Sequence, residues 1–287
     1  PVPPRVSALA EGDPIAAAYL CEVRATRATV AGAPLTSMRE KARARAFRLQ
    51  GGDLRGAYTV QVNEAASLLE LGDFVRAEEL LSEATPVLDR FGLGAMAAYA
   101  RLCLGLALLG RDARLGVTAA QSRLRLGAAM LGRGARREAQ AVISLAVTQS
   151  WERGRPRTEA LARCALAGVL AADGDLEAAE REVLTALERV TTLPAPRSYA
   201  LATLASIRLQ RGARAAALGD ATEAIQILNA LGGLDTGDAK VRRVYAEALR
   251  ATGDIESSVA AIAWARGRVL ERASRIDDEG WRESFLT

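Results

Sequence analysis

The sequence predicts an all-α protein, an α-solenoid wound as a right-handed superhelix of antiparallel helix hairpins. Three observations predict it. Half of the 287 residues are apolar but only 4% are aromatic, so the apolar content is mostly Ala, Leu and Val, a helix-forming set. A Gly-Asp-apolar stretch recurs, as ELGDFVRAE at 70–78, ADGDLEAAE at 172–180 and ATGDIESSV at 251–259. Small residues stand at fixed distances on both sides of it.

With the glycine as marker, the series is Gly72, Gly110, Gly134, Gly174, Gly212 and Gly253, with gaps of 38, 24, 40, 38 and 41 residues. Periods of that size belong to stacked supersecondary units. Seven before the marker stand Ala65, Cys103, Gly127, Ala167, Ala205 and Ala246. Five after it stand Ala77, Leu115, Ala139, Ala179, Ala217 and Ser258, and twelve after it Ala84, Ser122, Ala146, Ala186, Ala224 and Ala265. The +5, +9 and +12 positions share one helix face, and small side chains there let two helices approach closely. The glycine suits a left-handed helix stop, and Asp73, Asp175 or Asp254 suits the N-cap of the next helix. The stretch is read as a hairpin corner.

From the N-terminus, Gly32, Gly52 and Gly72 are 20 apart and predict single helices near 14–31, 36–49 and 55–71. Residues 1–55 are read as an irregular helical start, 56–276 as the repeats and 277–287 as a capping segment in which Trp281 and Phe285 cover the last apolar face. Pro86 should kink or split the helix from Phe74 to Phe91. The interval from Gly110 to Gly134 is too short for two full helices, which reads as a shortened unit or a missing loop. Pro156 suits a first helical turn, and Pro194 with Pro196 marks an inter-repeat loop. The expected total is about twelve to fourteen helices. The opening PVPPR reads as a piece of a longer chain.

Composition also excludes. With no histidine and no C-x-x-C, the usual zinc ligand sets and His-based catalysis are ruled out, and no cofactor is expected. Cys21, Cys103 and Cys164, scattered among apolar neighbours, read as buried thiols of a cytoplasmic protein. No apolar run has membrane-spanning length. Lys41 and Lys240 are the sole lysines, and Arg and Glu alternate at a net charge of +4, which describes a solvated helical surface. Arginine clusters at 133–137 and 153–157 sit at helix corners with few aromatics for base stacking, so nucleic acid is a weaker reading. Asp277, Asp278 and Glu279 are consecutive and poorly spaced for a paired acid and base, so no catalytic residue is assigned.

The small residue, the glycine seven later, the alanine five beyond and another seven on resemble the tetratricopeptide pattern, in the longer variant of bacterial regulators. The closing stretch, with Asp277, Asp278, Trp281, Arg282, Ser284, Phe285 and Leu286, resembles the tetratricopeptide tails of bacterial Hanks-type serine/threonine kinases. Similar tails occur on AAA-type or LuxR-like transcriptional activators. The resemblance implies a non-enzymatic interaction module attached to a larger signalling protein. Any kinase domain would lie outside this chain, which has no phosphate loop, V-A-I-K lysine or D-F-G.

That fold type implies a concave groove lined thirteen, ten and six residues before each marker. The expected lining includes Val62, Ala66, Ala100, Leu104, Leu124, Leu161, Cys164, Tyr199, Lys240 and Arg243. It is small and apolar, with cations only at its C-terminal end. The expected partner is a protein or peptide segment, apolar or amphipathic, with an acidic end near Lys240 and Arg243.

Overall fold

The computed structural model describes residues 12–121, 125–234 and 236–286, and of these every side chain except 112–121, 125–133 and 135. Among the described residues there are thirteen helices and no strand. They are α1 (Pro14–Val30), α2 (Pro34–Gln50), α3 (Leu54–Leu71), α4 (Phe74–Arg90), α5 (Gly94–Gln121), α6 (Arg125–Glu152) and α7 (Pro156–Ala172). There follow α8 (Leu176–Arg189), α9 (Pro194–Gln210), α10 (Arg214–Leu231), α11 (Asp238–Ala251), α12 (Ile255–Ala273) and α13 (Glu279–Leu286). Consecutive helices pack on one another from α1 to α5 and from α7 to α11, the arrangement of an α-solenoid. The chain forms two compact units, residues 1–139 together with 272–287, and residues 140–271.

The corners are built as the Gly-Asp chemistry requires. Gly72, Gly174, Gly212 and Gly253 are left-handed, with φ of 81°, 91°, 78° and 93°. Asp73, Asp175 and Asp254 accept the backbone N–H of Arg76, Ala178 and Ser257 at 3.1, 2.9 and 3.1 Å. Gly212 is followed by Ala213, which has no capping side chain; there the Ala213 N–H donates to the Arg208 carbonyl at 2.9 Å.

Gly110 and Gly134 are not corners. Helices α5 and α6 run through them, each 28 residues long, so the short interval is not an abbreviated hairpin. Gly110 is needed for a different reason: a Cβ there would fall 2.4 Å from the Phe74 ring. The ring of α4 lies directly on the α5 backbone. Gly134 faces open space, and nothing in the structure explains it. The packing register survives all the same, since Ala139, Ile143 and Ala146, the +5, +9 and +12 positions, are fully buried. The same offsets bury Ala77, Leu81 and Ala84, and Ala179, Val183 and Ala186.

Pro86 does not split α4, which continues to Arg90. The carbonyl that loses its donor belongs to Ser82, an exposed residue. Pro156 begins α7 as expected, and Pro194 begins α9, so that proline opens a helix and does not extend the loop. Cys21, Cys103 and Cys164 are free and buried. Burial pushes the Cys103 thiol up to about 12, against a hydrogen bond with Tyr99. No described helix is long and apolar enough to cross a membrane.

Candidate functional site

In the unit of residues 140–271, α9 packs between α7 and α11. Three of their side chains converge. Lys240 Nζ donates to Thr203 Oγ1 at 2.7 Å and lies 4.5 Å from the centroid of the Tyr199 ring. Thr203 Oγ1 in turn donates to the Tyr199 carbonyl at 2.9 Å. The ring reaches the start of α11 because residue 237 is a left-handed glycine; a Cβ there would stand 2.2 Å from Tyr199 Cδ2. Behind this group lies Cys164. Burial pushes its thiol up to about 11, with the Lys240 charge and the Thr203 hydroxyl pulling the other way.

An ammonium has three donors, and one is given to Thr203. The Tyr199 face holds the Lys240 ammonium by a cation–π contact, and the donors not given to Thr203 keep hydrogen-bonding capacity for an anion. One turn on, Arg243 is half exposed and pairs with Glu247 at 2.5 Å on the same helix. Leu161 is partly exposed on α7. Sequence reading thus names residues that the fold brings together at Tyr199 and Lys240, with Cys164 beneath them. Thr203, the hydroxyl that links them, was not among the predicted lining residues.

The lining needs correction at the −10 position. Val62, Ala100 and Cys164 are 0, 0 and 2% exposed, within packed cores, and cannot face a ligand. Ala202, at the same offset, is also fully buried. The reason is lateral: α3 packs on α5, and α9 on both α7 and α11. The −10 side chain fills those seams, and a small one permits the approach. Arg243 holds the same offset on α11, where it stays exposed. The accessible positions are −13 and −6, seven residues apart on one face, except Ala97, a −13 residue that is fully buried. They include Thr59, Ala66, Leu104, Leu161, Tyr199, Ser206 and Lys240. Ala66 and Leu104 also pack on the core of their unit. Leu124 lies outside the described residues.

The other unit carries a feature absent from the predicted lining. Residues 272–286 return to the helix corners of α1–α4. Ile276 is fully buried with Leu35 and Met38 of α2 and Leu71 of α3. Arg39 donates to both Asp277 carboxylate oxygens at 3.1 and 3.2 Å, and Arg272 pairs with Glu70. Trp281 and Phe285 pack, partly buried, on the same core, and Arg272 lies 5.6 Å from the Phe285 ring centroid. Asp278 caps α13 by accepting the Trp281 N–H at 3.0 Å. Two of the three consecutive acids therefore serve ion pairing and capping. A cleft of about 420 Å³ remains beside α13, lined by Asp73, Phe74, Val75, Arg111, Asp278, Gly280, Trp281 and Ser284 among others. Arg111 is held at its edge by both Glu78 oxygens, at 2.7 and 2.6 Å. Among the described residues no group of Cys, Asp and Glu is arranged to hold a metal ion.

Comparison with solved structures finds this all-helical fold in other proteins. A Rap protein complexed with competence and sporulation factor superposes with a TM-score of 0.63 at 14% identity, over 95% of this chain and 72% of that one. BtubC (BKLC) from P. vanneervenii superposes with a TM-score of 0.53 at 17% identity, over 84% of this chain and 89% of that one. At such identities the likeness is one of fold. No protein-family model and no curated protein sequence matches the chain.

Proposed function

We propose that this chain is a non-enzymatic interaction module that binds a protein segment, apolar or amphipathic, whose acidic end is received by Lys240 and Arg243. The observation that carries the reading is the Tyr199–Thr203–Lys240 arrangement. It fixes a cation on a face of this unit that also exposes Leu161 and Ser206, with Glu247 occupied by Arg243. A carboxylate there would gain charge-assisted hydrogen bonds at little cost in side-chain ordering, because the lysine is already held. The Rap protein of similar fold is seen with a bound factor, which supports the same use of the fold here. The resemblance of residues 277–286 to the tails of bacterial serine/threonine kinases supports a regulatory or substrate-recruiting role beside a signalling domain.

The test is selection of helical peptides from a random library on the full chain, followed by titration. The expected peptides carry acidic residues at one end. Their affinity should fall about tenfold or more in Lys240→Met, the range for losing a charge-assisted contact. Leu161→Glu should weaken them as well. Selected peptides without an acidic end, or unaffected by Lys240→Met, would overturn the assignment.

A further inference from the structure

We propose that the helix-corner edge of the unit formed by residues 1–139 and 272–287 is a second binding site, for an amphipathic helix, and that the chain's own residues 276–286 occupy it with an incomplete fit. The two ends of that segment are held unequally. At its start, Ile276 is fully buried and Asp277 accepts both bonds from Arg39. Beyond it, α13 is eight residues long and buries none of them completely. A helix of that length is not stable alone in water, so its order depends on docking.

The docking leaves space unfilled. The cleft of about 420 Å³ has apolar walls in Phe74, Val75 and Trp281, and α13 also contributes Gly280 and Ser284 to it, four residues apart on one face. A Cβ on Gly280 would approach only Asp278 Oδ1, at 3.5 Å, so open space lies beyond that position. Beside Trp281 the helix presents two of its smallest residues to this cleft, and Val75 in its lining stays 56% exposed. A segment with the same Trp-x-x-x-Phe ridge and preceding acid, but with large apolar residues where this chain has Gly280 and Ser284, would keep the Arg39 contact and cover more apolar surface. Such a helix is the predicted occupant. Its binding requires α13 to leave, so occupancy of the edge and release of the C-terminal segment are one equilibrium.

The probe is a labelled synthetic peptide of residues 273–287 carrying Gly280→Leu and Ser284→Leu, titrated against the full chain. Its apparent affinity is reduced by the fraction of chains whose edge is vacated. It should therefore bind about tenfold or more tightly to a Trp281→Ala/Phe285→Ala chain, in which the resident helix is weakened, than to the unaltered chain. Val75→Arg, at an exposed wall position, should abolish binding in both. Asp277→Asn, which loosens an exposed ion pair and leaves the core intact, provides a second release variant expected to act in the same direction. Equal affinity for the released and unaltered chains, or binding that survives Val75→Arg, would overturn the proposal.

Discussion

Replacing Ile276 by alanine tests whether the C-terminal segment belongs to the core of the N-terminal helices. The side chain is fully buried in the apolar cluster that also holds Leu35, Met38 and Leu71, far from it in sequence. Truncation removes three carbons, about 2.4 kcal/mol of transfer free energy at roughly 0.8 kcal/mol for each. The cavity left behind adds to this, and the total should be about 3–4 kcal/mol, inside the range for such truncations. For a unit of this size each kcal/mol moves the midpoint by about 2–4 °C, so the melting of that unit should fall by about 6–16 °C. Ile255→Ala is the matched control, because Ile255 is 56% exposed and its truncation should change stability by no more than about 0.5 kcal/mol. Thermal unfolding followed by circular dichroism measures both. A drop for Ile276→Ala no larger than for Ile255→Ala would show that the segment is not packed as described.

Two further outcomes are expected. Gly280→Ala should stabilise the chain by up to about 1 kcal/mol, because alanine favours a helix and the added methyl enters open space; a loss of stability in urea titration would refute this. The raised thiols set a pH dependence. Cys103 and Cys164 lie at about 12 and about 11 against an ordinary value of 9.0, so the folded chain keeps protons that the unfolded chain releases. Their contribution is complete below pH 9.0 and is lost as pH rises towards those values. Both should resist iodoacetamide in the folded chain at about pH 8.5 and react once it is denatured. Rapid labelling of either in the folded chain would contradict their burial.

The hairpins were legible in the sequence because their causes are local. A left-handed glycine followed by an aspartate stops one helix and starts the next within two residues. Alanines at +5 and +12 report a close helix crossing wherever they occur. The same logic failed at Gly110, because a glycine that admits a neighbouring ring looks the same in sequence as one that turns the chain. What distinguishes them is Phe74, whose ring arrives from α4. The predicted lining failed at −10 for a related reason. Helical periodicity says which residues share a face, but not which part of that face the next hairpin covers. Val62, Ala100 and Cys164 fell into seams, whereas Tyr199 and Lys240 met at an accessible position through Thr203.

By itself the sequence determined the all-helical class, the corners at Gly72, Gly174, Gly212 and Gly253 and the packing register, all set by contacts within a few turns of chain. Only the tertiary structure could place Ile276 beside Leu35 or Asp277 beside Arg39, partners separated by more than two hundred residues. No period or spacing records such a pairing. It is decided by which apolar surface remains uncovered once the hairpins have formed, and that is a property of the assembled surface.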